Sequence, residues 1–536
     1  MTTRKRTLLI AIPLAAAILL TGLFIAGRNL RSRLEPMVRD EAIRYLEDRF
    51  NADVQIKAIQ ISLPKLSTLG LVFNRQRGAL IQVDGEGLSL KRDNLELLGI
   101  DKMHFTVNIA SVLEPKKSVD AVALEGVRIT IPPKGEAGRP PDSANDSGKK
   151  KKKKPLKVQI EQVDIRNAKL VILPKDKTRQ PLSYDIDHLL LTPIGPDAPM
   201  NYAADLNIPR PPGHVLSHGR FGPWNADEPG DTFLDGKYQF QRADLGVFNG
   251  IAGILESTGQ FEGSLSAIHA TGECYVPDFR LTASGNRVPL RAHFDAMVDG
   301  TNGNTTLQPV HATLGQTNFS TSGAIVKHQD KEKRTISLTV AMPSGNLQDL
   351  LRLAMKGSPF MEGRVTLNTR IDIPPLSSKV KQKLLLDGTF NLRDAKFLKS
   401  TIQSQIDGLS RHAQGEPNND EIDSVASDMK GSFHLENQTM TFRSLSFHVP
   451  GAGVALAGDY QLRDDHLNFH GTLRLEAKVS QLVTGWKSWL LKPIDPVFAK
   501  NGAGTFLNIV VEGTARKPEL GVIFAGHKFT APVGKH

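Results

Sequence analysis

The side chains best suited to chemistry in this 536-residue chain are few and scattered. His466 and His470 stand four residues apart beside Asp464 and Asp465, and on one strand face such a set can approach a metal ion. The surrounding LRDDHLNFHG reads instead as a turn entering a strand whose outward face is polar in any case, so a solvated surface is the better reading. Asp420, Glu421 and Asp423 fall in a Gly, Pro and Asn-rich loop, and the pattern places no partner acid for hydrolysis. Cys274, in the strand-like GECYVPDF, is the one cysteine; it reads as a small buried hydrophobe, and it excludes an intramolecular disulfide and any CxxC zinc or redox motif. GxSxG, HExxH and Walker-type loops are absent, and GAGVALAG has glycines without the helix a dinucleotide site needs. No catalytic, cofactor or metal residue is assigned, and the expectation is a protein that is not an enzyme.

The elements around these residues are mostly strands. LAGDYQLRDDHLNFHGTLRL, Leu456 to Leu475, puts large apolar residues at every second position, the period of a strand with one apolar and one polar face. The pattern recurs in VQIEQVDIRNAKLVIL, PLSYDIDHLLL and FLNIVVEG, and GSFHLE, TMTFRSLSFHV, GVALAGDYQL and LNFHGTLRLEA follow one another with turns of two to four residues, as in an antiparallel meander. Helices are rarer. RLEPMVRDEAIRYLEDRF sets Leu34, Met37, Val38, Ala42, Leu46 and Phe50 on one stripe; KFLKSTIQSQIDGLSRHAQG sets Phe397 or Leu398, Ile402, Ile406 and Leu409 on another, and Gly415 stops it. A weak repeat, a short helical segment leading into a Gly-rich strand opening, recurs at Ala243 to Gly263, Asn346 to Val365 and Ser480 to Phe506.

Two segments differ in kind. Thr7 to Gly27 is uncharged and follows Arg4, Lys5 and Arg6, which suits a single transmembrane anchor better than a cleaved leader, since Phe24 and Ile25 spoil a cleavage site. Pro132 to Pro155 has no apolar residue larger than Ala and carries six lysines, Lys149 to Lys154, so it reads as a solvated linker. Setting those lysines aside lowers the formal charge from +11 to +5, and with no aromatic residues interleaved nucleic acid is not expected as a partner.

A sheet with one apolar face must cover it, and the few helices cannot cover about twenty strands. The sheet therefore packs dry on itself or curls into a trough that solvates hydrocarbon. Twenty strands side by side extend on the order of 100 Å. The expected fold is thus mainly β: an elongated, curled antiparallel sheet forming an apolar groove, with few short helices and one N-terminal transmembrane helix. The expected organisation is a tail over 1–6, anchor over 7–27, helix and first strands over 28–131, linker over 132–155, middle groove over 156–383, C-terminal β region over 384–525 and tail over 526–536. Pattern nominates Phe433, Leu435, Phe442, Leu445, Phe447, Leu456, Leu462, Leu467, Phe469, Leu473 and Leu475 as groove lining, with the parity of each strand left open by bulges. Leu482, Trp486, Trp489 and Leu490 line a short helix that either caps the groove or meets a membrane interface.

QIDGLSRHAQGEP, FHVPGAGVALAGDYQL, LRLEAKVSQLVTGWKSWLLKPIDPVF and GRFGPWNADEPGDTFLDGKYQF resemble the AsmA family of bacterial envelope proteins, most closely over Leu384 to Pro518. The anchor, the following helix and QIKAIQISLP are similar to the start of that family. The resemblance implies an inner-membrane protein with its bulk in the periplasm and a long β groove that carries phospholipid acyl chains toward the outer membrane, in the manner of chorein-type bridge proteins, with a partner protein in the periplasm or outer membrane. The competing expectation is an anchored scaffold for envelope assembly with a dry β core.

Overall fold

The computed structural model describes residues 34–50, 52–62, 80–108, 117–132, 158–173, 180–195, 198–223, 225, 228–327, 334–375, 380–419, 421, 423–482, 492, 495, 499, 504–515, 517–524 and 527–532. Thr7 to Gly27, the polylysine run, Asp420, Trp486, Trp489 and Leu490 lie outside them. Among the described residues no helix is long and apolar enough to cross a membrane. Strands dominate, and twenty-five of them belong to one hydrogen-bonded sheet. The helices are α1 (Leu34–Phe50), α2 (Leu347–Ala354), the single turn α3 (Val380–Lys383) and α4 (Ser400–Gln414). The chain divides into two compact units, residues 1–247 with 256–271 and 299–301, and residues 248–255 with 272–298 and 302–536.

In the first unit α1 lies on the opening strands and buries Val38, Ala42 and Leu46 against Val54, Ile56, Val83, Ile100 and Phe105. Of the helical stripe read from the sequence, Val38, Ala42 and Leu46 are buried, Phe50 packs half-buried against them, and Met37 is 43% exposed. The fully antiparallel expectation needs one correction. Strand Val158–Ile172 runs parallel to both Lys117–Glu125 and Arg128–Ile131, whereas the other described strand pairings are antiparallel. Parallel neighbours need a crossover of about a dozen residues or more. The segment read as a linker over 132–155 falls within the connection between Arg128–Ile131 and Val158–Ile172, which is long enough for such a crossover.

In the second unit Ile251–Ala252 and Arg280–Leu281 form a separate two-stranded sheet, and from Leu290–Val298 onward the strands form a meander in which each pairs with the next. Its two longer helices sit where a strand has just ended. α2 is capped by Asn346, whose Oδ1 accepts from Gln348 N at 3.0 Å. α4 ends at Gly415, whose φ of 80° is the left-handed cap that a side chain resists. Each helix is tied down by a buried acid. Asp349 accepts from Thr317 Oγ1 and Gln316 N, both at 2.9 Å, and Asp407 accepts from Val425 N and Gln403 Nε2, both at 2.8 Å. A third acid, Asp495, accepts from Ser480 N at 2.8 Å and Ser480 Oγ at 2.7 Å. The second and third repeated segments both contain such an acid; in the first copy the helical part is a 3-10 turn at Leu245–Val247, and among the described residues of the third a 3-10 turn spans Val479–Gln481.

Candidate functional site: a charge-free sheet face

Directly opposed residues in antiparallel strands share a face, so the pairings fix which side chains lie together. One row across the second unit runs Thr369, Gly388, Phe433, Phe442, Gly458, Phe469, Val511 and Leu520. The next runs Leu367, Phe390, Gly431, Leu445, Leu456, Gly471, Ile509 and Val522. The rows carry no charged residue, and the alternate positions that carry Asp387, Lys430, His434, Asp459, Arg474 and Glu512 lie on the other face.

Ten of the eleven nominated lining residues fall on this face; Leu462 does not occupy a strand but the turn after Gln461, where its N–H donates to Gln438 O at 2.8 Å. Phe442 and Leu445 share the face despite their odd spacing because the register shifts between them, and the extra residue restores the parity. Eight of the eleven are half-exposed, while Leu435, Phe469 and Leu475 are buried. Sequence reasoning missed the continuation of the face through Leu367, Phe390, Ile509 and Val522; the alternation in those strands was the available signal.

The lining is held low by glycines. A Cβ on Gly388 would lie 2.9 Å from Phe433 Cζ, and one on Gly431 would lie 3.0 Å from Phe390 Cε1, so each ring lies over the glycine of the neighbouring strand. The rings of Phe390 and Phe433 are 6.3 Å apart and those of Phe442 and Phe469 are 5.8 Å apart. The first unit repeats the arrangement, with Phe261 over Gly236 and Tyr238 over Gly259. Such packing lets aromatic side chains carpet a sheet without standing clear of it.

Among the described residues, helical cover lies at one rim of the second unit's face. α2 places Leu347, Leu350 and Leu351 on Met342, Met361, Val365 and Leu392, and α4 places Ile406, Leu409 and Ala413 on Val449, Ala452 and Leu475. Val449, Ala395 and Thr505 at that rim are wholly inaccessible. Away from it Phe433, Phe442, Leu456 and Leu467 are half-buried and belong to neither helix-covered cluster. Leu482 packs with the α4 cluster, as expected of a capping segment.

The other chemistry-bearing residues are not assembled. His466 and His470 are exposed on the opposite face, the latter paired with Ala457. Asp464 accepts from His466 N at 3.4 Å, and Asp465 accepts from the Tyr460 hydroxyl at 2.9 Å. Glu421 and Asp423 are exposed in their loop. Cys274 is half-buried, and burial pushes its thiol up, away from nucleophile chemistry. Among the described residues the one trio spaced for a cation is Asp187, Asp205 and His214, ligand atoms within 4.8 Å, on strands of the first unit. His214 Nε2 already pairs with Asp205 at 3.3 Å and Asn207 Nδ2 donates to Asp187 at 3.0 Å, a surface network in its own right. No family model, curated protein or solved structure matches this chain.

Proposed function

We propose that the chain is a non-enzymatic carrier of phospholipid acyl chains, held at the inner membrane by Thr7 to Gly27 with its bulk in the periplasm, and that the sheet curls lengthwise into a groove lined by the charge-free face. The observation that carries this reading is the half-exposure of Phe433, Phe442, Leu445 and Leu456 on a continuous apolar face of at least seven strands. An uncovered apolar surface of that extent is costly in water, and exposed contiguous patches mark surfaces that meet another apolar partner. Hydrocarbon tails are the partner that needs neither charge nor hydrogen bonds from the lining. The resemblance to the AsmA family supports the same reading. The scaffold alternative requires the face to be dry, which the half-exposed Phe and Leu side chains disfavour. Organic extraction of the purified full-length chain followed by mass spectrometry tests the choice: stoichiometric phospholipid is expected, and a lipid-free, fully stable protein refutes the carrier.

A further inference from the structure

Independently of the carrier reading, we infer that Asp187, Asp205 and His214 of the first unit bind a zinc ion that clips three consecutive strands together. Leu182–Thr192 pairs with Met200–Pro209, which pairs in turn with Pro212–Phe221, and His214 stands opposite Asn207. Between Ile186, opposite Leu206, and His188, opposite Asp205, the register slips, and Asp187 is the extra residue. A bulge of this kind breaks the ladder and re-aims a side chain. Here it brings the Asp187 carboxylate within 4.8 Å of the ligand atoms of Asp205 and His214. The surrounding hydrogen bonds select the ring nitrogen that a metal would meet. Asn207 Nδ2 donates to Asp187 Oδ2 at 3.0 Å, which turns Asn207 Oδ1 toward His214 Nδ1 at 3.3 Å, so Nδ1 carries a proton and donates. Such an outer partner fixes the orientation of a metal-binding histidine. His214 Nε2 then lies 3.3 Å from Asp205 Oδ1, an oxygen that is buried yet accepts no hydrogen bond among the described residues. Buried acceptors are ordinarily satisfied, and a cation shared with Nε2 satisfies this one. Ligand atoms about 2.1 Å from a tetrahedral zinc stand about 3.4 Å apart, close to the separation found. Among the described residues neither Asp187 nor Asp205 has a lysine or arginine partner, whereas the neighbouring Asp185 has Lys169 at 3.1 Å. Two unneutralised carboxylates with an imidazole nitrogen favour zinc over the oxygen-seeking magnesium and calcium.

The test uses the detergent-solubilised full-length chain, stripped with chelator, and Zn2+ alone as the probe in isothermal titration calorimetry near neutral pH. The parent should take up zinc at this site, and His214→Ala should abolish that uptake. Asn207→Ala, which removes only the group holding the ring, should weaken it by about 10- to 100-fold. His434 is the control: its two ring nitrogens face different acids, Asp387 at 3.2 Å and Glu436 at 3.7 Å, and His434→Ala should leave the uptake unchanged. Asp187 is exposed, so Asp187→Asn spares the packing should the histidine change disturb folding, and it should weaken binding by about tenfold or more on its own. No uptake by the parent overturns the site. So does equal uptake by the parent, His214→Ala and Asp187→Asn, in variants whose circular dichroism matches the parent, because the zinc would then sit elsewhere on the surface.

Discussion

Placing an aspartate at Leu456 separates an open apolar face from a packed interior, because the two predict different costs for the same change. Leu456 is half-exposed in the middle of the face, opposite Leu445 on one side and Gly471 on the other. Fully burying a leucine contributes about 1.5–3 kcal/mol, so the half-buried Leu456 has about 1–2 kcal/mol to lose. Aspartate also disfavours strands by up to about 1 kcal/mol, and its carboxylate at this position keeps its water. The expected loss for Leu456→Asp is therefore about 2 kcal/mol. Val449, by contrast, is 0% exposed beneath α4, and an unpaired carboxylate there costs several kcal/mol beyond the lost valine packing. Val449→Asp should lose about 5 kcal/mol or more and unfold the region. Urea denaturation of both full-length variants, followed by far-ultraviolet circular dichroism, measures the difference, and lipid extraction of Leu456→Asp measures loading. The reasoning predicts a folded Leu456→Asp protein with sharply reduced phospholipid. A Leu456→Asp variant as unstable as Val449→Asp would mean that something covers the face, and the groove would be lost with it.

Other consequences follow from particular contacts. Asp349→Ala strands the Gln316 N–H and leaves the Thr317 hydroxyl with the Asn346 backbone alone, at about 1–3 kcal/mol for the unsatisfied group, and hydrogen exchange over Leu347–Ala354 should accelerate well ahead of the adjoining strands. Gly431→Ala forces a Cβ to 2.8 Å from Ser444 O and 3.0 Å from Phe390, and should cost about 1–3 kcal/mol in thermal or urea unfolding; Gly408→Ala, in α4 with only Arg411 Nη2 at 3.9 Å, should instead gain up to about 1 kcal/mol. In the first unit Arg220 holds the Asp235 carboxyl below the usual carboxylate range, chiefly through its side-chain hydrogen bonds, with Nε to Oδ2 at 2.9 Å. A folded pKa below the unfolded one contributes stability that is present above about pH 4 and is lost as the pH falls through the lowered value. Asp235→Asn should therefore remove part of the acid-side slope of an unfolding titration while leaving the slope above pH 5 unchanged; an identical acid limb in the variant would show that the pair contributes nothing.

Much of this protein is local in origin and so was legible in the amino-acid order. Period-two alternation declares strands because side chains on a strand alternate faces whatever lies beyond it, and the stripe Val38, Ala42, Leu46 declares a helix for the corresponding reason at a period of 3.6. Gly415 ends α4 because the left-handed cap excludes most other residues, a fact of one backbone position. Phe433, Phe442 and Phe469 share one sheet face, as the alternation within each strand suggests.

What the tertiary structure alone decided is how those sides line up. The register shift between Phe442 and Leu445 reverses parity within a strand, and alternation cannot reveal it because the compensating partner lies on another strand. The parallel placement of Val158–Ile172 depends on where a long connection returns, which composition leaves open. The rings of Phe390 and Phe433 find glycines far away in sequence, Gly431 and Gly388, and that pairing keeps the lining shallow. Likewise, only the fold brings the carboxylate of Asp349 to the Thr317 hydroxyl, thirty-two residues earlier, and so holds α2 over one rim while the rest of the face stays uncovered. Local sequence sets the conformational preference of each segment; which faces become interior depends on pairings between distant segments, and those are settled when the chain closes them.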